Sequence, residues 1–403
     1  MTTSSGFGAG SPWRGSFIPA ALPALVNSVA RVDCLDAKLC WAVGSTLGSA
    51  GAPNGAAIIV TVDGGARWVS QVVPPTVGSL SGISCSDQRD CTAVGQASQP
   101  TDGQAVIATT VDGGTVWTAE PVPAGIVDLT AVTCRSDRRC VAIGSTTGGT
   151  VALGSPTAGV GWTQLGALPA GVVGATAVSC SDDLSCWVTA HTAVDLDHVP
   201  GAVATTDDGG STWSTVATPA GLGYLNGVDC LRGTATGSGA LPTTSTVTTP
   251  APASSGGTAA PGTTSTSVAA TTTSVGTPVV GAAGVRCVVV GTTANVLNGT
   301  RTGNGVLLTT DNGGAAWSSQ TVSATSASLT DVSCTAIGSC VAVGDSAATA
   351  GPAGVVILSG SPTDPWRRPA VATAPLPLTG VSCISTAHCV VVGESFSEHL
   401  AGG

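Results

Sequence analysis

The stretch "HTAVDLDHV", residues 191–199, gathers two imidazoles and two carboxylates: His191, Asp195, Asp197 and His198. Imidazole nitrogen and carboxylate oxygen are donors that a divalent cation accepts. The spacing matches no established ligand pattern, however, and a solvated polar loop explains the same residues. No metal and no cofactor are therefore expected; were a metal bound, this quartet would hold it. A second stretch, "TTANVLNGTRTGNG" (292–305), offers Asn295, Asn298, Arg301 and Asn304. Amides and a guanidinium suit sugar hydroxyls or carboxylates, and they are equally the chemistry of turns. Tyr224 in "GLGYLNG", Asp102 with Gln99 in "QASQPTDGQ", and Glu394, Glu398 and His399 complete the binding candidates. No catalytic residue is assigned.

These loops need a scaffold, and the cysteines reveal its period. Cys34/Cys40, Cys85/Cys91, Cys134/Cys140, Cys180/Cys186, Cys334/Cys340 and Cys383/Cys389 stand six apart, while Cys230 and Cys287 stand 57 apart. First cysteines recur after 51, 49, 46, 50, 104 and 49 residues. Setting aside the surplus between Cys230 and Cys287 leaves seven repeats of about 50 residues, the period of a solenoid or a propeller.

Each repeat has the same grammar. "LTAVTC" alternates like a strand, five polar residues turn the chain, and "CVAIG" begins a second strand. A third strand such as "AVIATT" runs into "VDGG", and a tryptophan opens the fourth, "WTAEPVP". Asp-Gly-Gly is a tight-turn signal because glycine takes positive φ without a Cβ clash. The expected fold is all-β: one seven-bladed β-propeller of four-stranded blades over residues 1–403, a closed form that leaves no long exposed edge. The 14 residues after Cys389 and the 13 up to Trp13 together match the spacing from second cysteine to tryptophan elsewhere. The N-terminal segment is therefore expected to complete the last blade and close the ring.

"TVDGGARW" (61–68), "TVDGGTVW" (110–117), "TDDGGSTW" (206–213) and "TDNGGAAW" (310–317) resemble the Asp-box, or bacterial neuraminidase (BNR), repeat. Asp63, Trp68, Asp112, Trp117, Asp208, Trp213 and Trp317 fit its pattern, with Asn312 where aspartate is usual; the copies at Trp13, Trp162 and Trp366 have lost the Asp-Gly core. The resemblance implies a propeller and hardly touches function, since sialidases, glycan hydrolases, assembly factors and sorting receptors all carry the box. A sialidase-like site would require an arginine triad and a tyrosine nucleophile. Tyr224 is the only tyrosine, and Arg89, Arg135, Arg138 and Arg139 lie in the loops between paired cysteines.

Cysteines flanking a five-residue loop can face each other across a hairpin at disulfide distance. Zinc held by thiolates is the rival reading; its usual cysteine spacing is closer, and seven pairs do not divide into four-thiolate sites. Disulfides point to an oxidising, extracytoplasmic compartment, secreted or at the cell surface. An export signal is not evident: "FIPAALPALVNSVA" (17–30) mimics one, but cleavage there would remove Trp13. A net charge of −10 with thirteen Lys and Arg argues against nucleic acid or an anionic membrane as partner. No apolar run reaches the roughly 20 residues of a membrane-spanning helix. Residues 233–284 hold no charge and no aromatic, and are expected to form a disordered Ser/Thr/Pro/Gly/Ala-rich insertion in the fifth repeat.

One face of such a ring would carry the cysteine hairpins, the Asp-Gly-Gly turns and the insertion. The other would carry the variable loops with His191, Tyr224, Asn304 and Asp102, where binding usually resides on a rigid scaffold. The sequence is thus read as a non-catalytic binding or surface-display module, a monomer whose ligand is a carbohydrate or a protein. A glycan-cleaving hydrolase and a purely structural exported protein are the alternatives.

Overall fold

The computed structural model describes residues 16–48, 55–98, 103–192, 200–232, 284–293, 296–297, 300–301, 304–322, 326–335, 339–346, 353–359, 376–385, 388–393 and 396–401. Trp13, Gln99, Asp102, Asp195, Asp197, His198, Asn295, Asn298, Trp366, Glu394 and the insertion up to residue 283 lie outside the described residues. Every principal sheet is antiparallel and follows the repeat. In the Cys34 blade, Val26–Cys34, Cys40–Thr46, Gly55–Thr61 and Val69–Ser70 pair in chain order. The blades beginning at Val77–Cys85, Ile126–Cys134, Val172–Cys180 and Leu225–Arg232 are built alike. In the last blade Leu378–Ser385, His388–Gly393 and Phe396–Ala401 are joined by Ser16–Ala20, the N-terminal strand, which pairs Ser16 with Ala401.

The described residues thus form six four-stranded blades, not the seven expected. The Cys334 sheet has three strands: Ser326–Cys334, Cys340–Ser346 and Ala353–Ser359. The sequence departs from the other repeats at this point, in residues that lie outside the described ones. After Ser359 come Pro362, Pro365 and Pro369 and no Asp-Gly-Gly turn; proline has no N–H to donate to a ladder. The inner strand of this sheet nevertheless packs against those of the Cys230 and Cys383 blades, and the inner strands of the Cys383 and Cys34 blades touch, so the sheets form a closed β-propeller.

All fourteen cysteines are paired as disulfides: Cys34–Cys40, Cys85–Cys91, Cys134–Cys140, Cys180–Cys186, Cys230–Cys287, Cys334–Cys340 and Cys383–Cys389. Each joins residues directly opposite in the first hairpin, with Cα atoms 4.0 Å apart for Cys34 and Cys40. The next pair inward to the turn is hydrogen-bonded, Leu35 N to Leu39 O at 3.0 Å, so the cysteines occupy a non-hydrogen-bonded position. Their N–H groups therefore point to the free inner edge of the blade.

That edge is satisfied by the neighbouring sheet. Cys85 N donates to Asp33 Oδ2 (2.7 Å), Cys134 N to Ser84 Oγ (2.9 Å) and Cys230 N to Ser179 Oγ (3.0 Å). Cys334 N donates to Asp229 Oδ2 (2.7 Å) and Cys383 N to Ser333 Oγ (2.9 Å). Cys34 N donates to Ser382 Oγ (3.0 Å), which carries the pattern across the closure. The acceptor is always the residue immediately before the first cysteine of the preceding sheet. At the remaining seam Thr133 makes no such bond among the described residues; Arg135 Nη1 reaches Cys180 O instead (3.2 Å).

A second tie comes from a β-bulge in each inner strand, such as the register shift between Leu129 and Ala131. The extra residue turns its side chain toward the next sheet. Thr130 donates to Ala175 O (2.9 Å), Thr176 to Leu225 O (2.7 Å), Thr330 to Leu378 O (2.7 Å) and Thr379 to Val29 O (2.6 Å). Opposite the bulge, a Cβ on Gly144 would collide with the carbonyl of Asp128, which accounts for the glycine ending "CVAIG". The apolar cores lie between sheets: Trp41 packs among Leu80, Ile83 and Trp117 of the next blade, and Trp187 among Leu225, Val228 and Val289.

The Cys134–Cys140 disulfide closes a loop of six positions and Cys230–Cys287 one of 57. Chain-entropy arguments assign about 2 kcal/mol to the former and about 4 kcal/mol to the latter. Denaturant unfolding of the non-reduced protein should therefore show Cys230→Ala/Cys287→Ala losing roughly twice the stability of Cys134→Ala/Cys140→Ala.

Candidate functional site

On the cysteine-hairpin face, carboxylates and guanidinium groups are abundant and many are already engaged. Thr61 donates its hydroxyl to Asp63 Oδ1 (2.7 Å) and accepts from Gly65 N (2.9 Å), while Asp63 Oδ1 also accepts from Arg67 N (2.9 Å). Thr110 with Asp112 and Thr206 with Asp208 repeat this geometry, and Thr310 repeats it with Asn312, whose Oδ1 accepts from Ala316 N (2.9 Å). The two glycines have φ of 74° and 90° at Gly64 and Gly65. Gly64 N donates to Lys38 O (2.9 Å), tying the turn to the cysteine hairpin beside it.

Hydrogen bonding lowers the proton affinity of these carboxyls. The Thr61 hydroxyl does so at Asp63, the Val116 amide at Asp112, and the Thr212 hydroxyl holds Asp208 at about 2. The arginines bridge blades: Arg138 reaches Asp90 (2.7 Å) and Asp87 (3.3 Å), Arg135 reaches Asp183 (3.4 Å) and Arg232 reaches Asp182 (2.6 Å). No three of them converge. Trp68, Trp117, Trp162 and Trp213 are buried and Trp317 is half-buried; the Trp117 indole donates to Gln71 Oε1 of the preceding blade (2.8 Å).

On the opposite face, the structure brings two of the sequence candidates together. His191 lies at the end of Cys186–Thr192, paired with Gly201, and Tyr224 immediately precedes Leu225–Arg232. Their rings meet edge to face with centroids 5.3 Å apart, in the seam between the Cys180 and Cys230 blades. Gly174, with φ of 55°, leaves the imidazole its space; any Cβ there would overlap the ring. Burial pushes the His191 pKa down, which keeps the ring neutral, and Nδ1 has no partner among the described residues. Tyr224 O accepts from Thr292 N (2.9 Å), and Thr293 N donates to Asn304 O (2.9 Å), so the Asn304 hairpin stands beside the same seam. Arg301 lies in the short strand Thr300–Arg301; Glu398 and His399 lie in Phe396–Ala401, paired to the N-terminal strand rather than grouped with Tyr224. Among the described residues no three His, Cys, Asp or Glu gather to hold a metal ion, and no helix is long and apolar enough to cross a membrane.

A third group escaped the sequence reading. Burial pushes Asp33 and Asp229 up to about 6, against the bonds they accept from the amides of Cys85 and Cys334. Asp331 is also raised by burial; its Oδ2 accepts from Val381 N (2.9 Å), and the Arg31 charge acts against the rise. Arg31 Nη1 in turn donates to Thr379 O (2.5 Å), two residues before Val381 on the same inner strand. The signal was present: the residue before each first cysteine is Asp33, Ser84, Thr133, Ser179, Asp229, Ser333 or Ser382, always a short oxygen-bearing side chain.

No family model matches the chain, and no curated protein matches it. Solved structures do match across nearly its whole length. YCF48 bound to D1 peptide is similar at TM-score 0.56 and 12% identity, covering 98% of this chain and 96% of that one. A streptogramin B lyase is similar at TM-score 0.57 and 9% identity, with 96% and 98% covered. A GH74 xyloglucanase from Xanthomonas campestris is similar at TM-score 0.57 and 13% identity; 95% of this chain matches 53% of that enzyme. At such identities the likeness establishes the propeller fold and assigns no Asp-box family and no activity.

Because Asn312 makes the same bonds as the aspartates, a neutral acceptor can hold the turn. Asp63→Asn should keep Tm within about 1 °C of wild type while Asp63→Ala lowers it by about 2 °C or more, as measured by calorimetry.

Proposed function

We infer that this protein is an extracytoplasmic, non-catalytic binding module whose ligand docks on the variable-loop face at the His191–Tyr224 seam. The observation that carries the reading is the meeting of these two half-buried rings where two blades join. An aromatic edge beside a neutral imidazole offers both apolar contact and hydrogen bonding, the mixture typical of a binding cleft. Asp63 of the opposite face is committed to its own turn, and Arg138 and Arg232 to bridges between blades, which speaks against hydrolysis there.

A protein segment is the favoured ligand, with carbohydrate the other class that amides and Tyr224 suit. The YCF48 propeller holds a peptide, which supports a peptide-binding role for a ring of this size. Seven disulfides favour the oxidising side of a membrane. The Thr-x-Asp-Gly-Gly turns support reading the repeats as Asp boxes serving the scaffold, with residues 1–403 as one domain and the segment 233–284 as its insertion.

Immobilised peptide and glycan arrays probed with the non-reduced protein test this reading. Saturable binding without turnover is expected, weakened about tenfold or more in Tyr224→Ala, a loss on the order of 1.4 kcal/mol. Turnover of a glycan, or binding indifferent to both Tyr224→Ala and His191→Ala, would contradict it.

A further inference from the structure

The seams between inner strands all solve one problem, a cysteine N–H at the blade's inner edge, yet they do so with two chemistries. Ser84, Ser179, Ser333 and Ser382 accept with a neutral hydroxyl. Asp33 and Asp229 accept with a carboxylate, each at 2.7 Å, where a hydroxyl evidently suffices. Asp331, two residues before Ser333, adds a third carboxylate on the same inner strands through its bond from Val381 N. Around Asp33 the facing groups are the Cys85 and Cys34 amides and Ser84, with no cation acting on it. Around Asp229 they are the Cys334 and Cys230 amides, Ser179 and the like-charged Asp331. Only Asp331 has a cation acting on it, Arg31, which also binds Thr379 O.

We propose that Asp33 and Asp229 form an acid-responsive latch: protonated, they close the ring more tightly in mildly acidic medium than at neutral pH. An ionised carboxylate enclosed between strands without a cation costs free energy that its amide bonds only partly return. A protonated one still accepts the amide through one oxygen, so the seam survives while the charge is removed. Burial raises the proton affinity of both, as it does that of Asp331, and for Asp33 and Asp229 the folded value of about 6 lies above the ordinary 3.8. The sign follows from linkage. Where the folded state binds protons more tightly, its extra stability is complete below the unfolded value and is lost as pH rises through about 6. Each carboxylate keeps some accessible surface, but the protein packed on both sides sets its affinity. Hydrogen-bonded surface carboxyls such as Asp63 and Asp208 respond only in stronger acid. His191, whose proton affinity burial lowers, acts in the opposite sense and is common to wild type and variants.

The test uses the ring's own alternative, Asp33→Ser with Asp229→Ser, as a full-length, non-reduced protein. Tm is measured for wild type and double variant at about pH 5 and about pH 7.5 at constant ionic strength. On acidification wild type should gain about 4 °C relative to the variant. A difference between the two proteins that does not change with pH, or that changes in the opposite direction, would overturn the latch. Should the serine variant fail to fold, Asp33→Asn with Asp229→Asn removes the same charges with less change of shape and is judged by the same difference.

Discussion

The structure depends on what happens to one backbone group, the N–H of the first cysteine in each repeat. Disulfide formation places that residue at a non-hydrogen-bonded pair, so its N–H points out of the blade at the inner edge, where each sheet meets the next. Left unmet, such edge donors would cost about 1–3 kcal/mol each and would offer a template for unwanted pairing. Six are met by a side chain from the preceding sheet, and the bond from Cys34 to Ser382 lets the last blade hold the first. The disulfide and the seam are therefore one device: the covalent clip fixes the hairpin register that aims the amide across the gap.

This arrangement explains why so few aromatic and charged residues suffice. The inter-sheet cores are Val, Ile, Leu and Ala around Trp41, Trp187 and the tryptophans that immediately precede the fourth strands. Small inner-strand residues let the strands approach closely: a Cβ on Gly82 would lie 3.1 Å from Ala131 Cα, and one on Gly227 3.0 Å from Asp331 Cα. Close approach brings the short side chains of Asp, Ser and Thr within reach of the neighbouring backbone. Exposed charge is in turn concentrated on the cysteine-hairpin face, where Arg138 and Arg232 bridge blades at the modest energies typical of solvated pairs.

Much of the fold was legible because its determinants are local and periodic. The six-residue cysteine spacing and the Asp-Gly-Gly turns each sit within a single repeat and recur every 50 residues or so, and they led to the propeller and to the disulfides. The count of four-stranded blades was not legible: the cysteines of the Cys334 repeat match the others, and Trp366 stands at the spacing expected of a fourth strand. The seam was missed for a different reason. Asp33 and Cys85 are 52 positions apart, and nothing in either repeat alone shows that one will accept from the other. The His191–Tyr224 meeting was half legible; both residues were chosen, but as separate loops, and the edge-to-face contact arises from blade packing. Asn304 proved to join its hairpin through its backbone, a turn role that the sequence had left open beside ligand binding.

Amide hydrogen exchange at the first cysteines, read residue by residue by NMR on the non-reduced protein, tests the central claim most directly. Cys34, Cys85, Cys134, Cys230, Cys334 and Cys383 should be protected nearly to the level of global unfolding, because opening any of them requires two sheets to part. Cys180, to which Thr133 makes no corresponding bond, should exchange faster. Exchange of all seven at the rate of exposed loop amides, or Cys180 as slow as the rest, would contradict a ring held by these bonds.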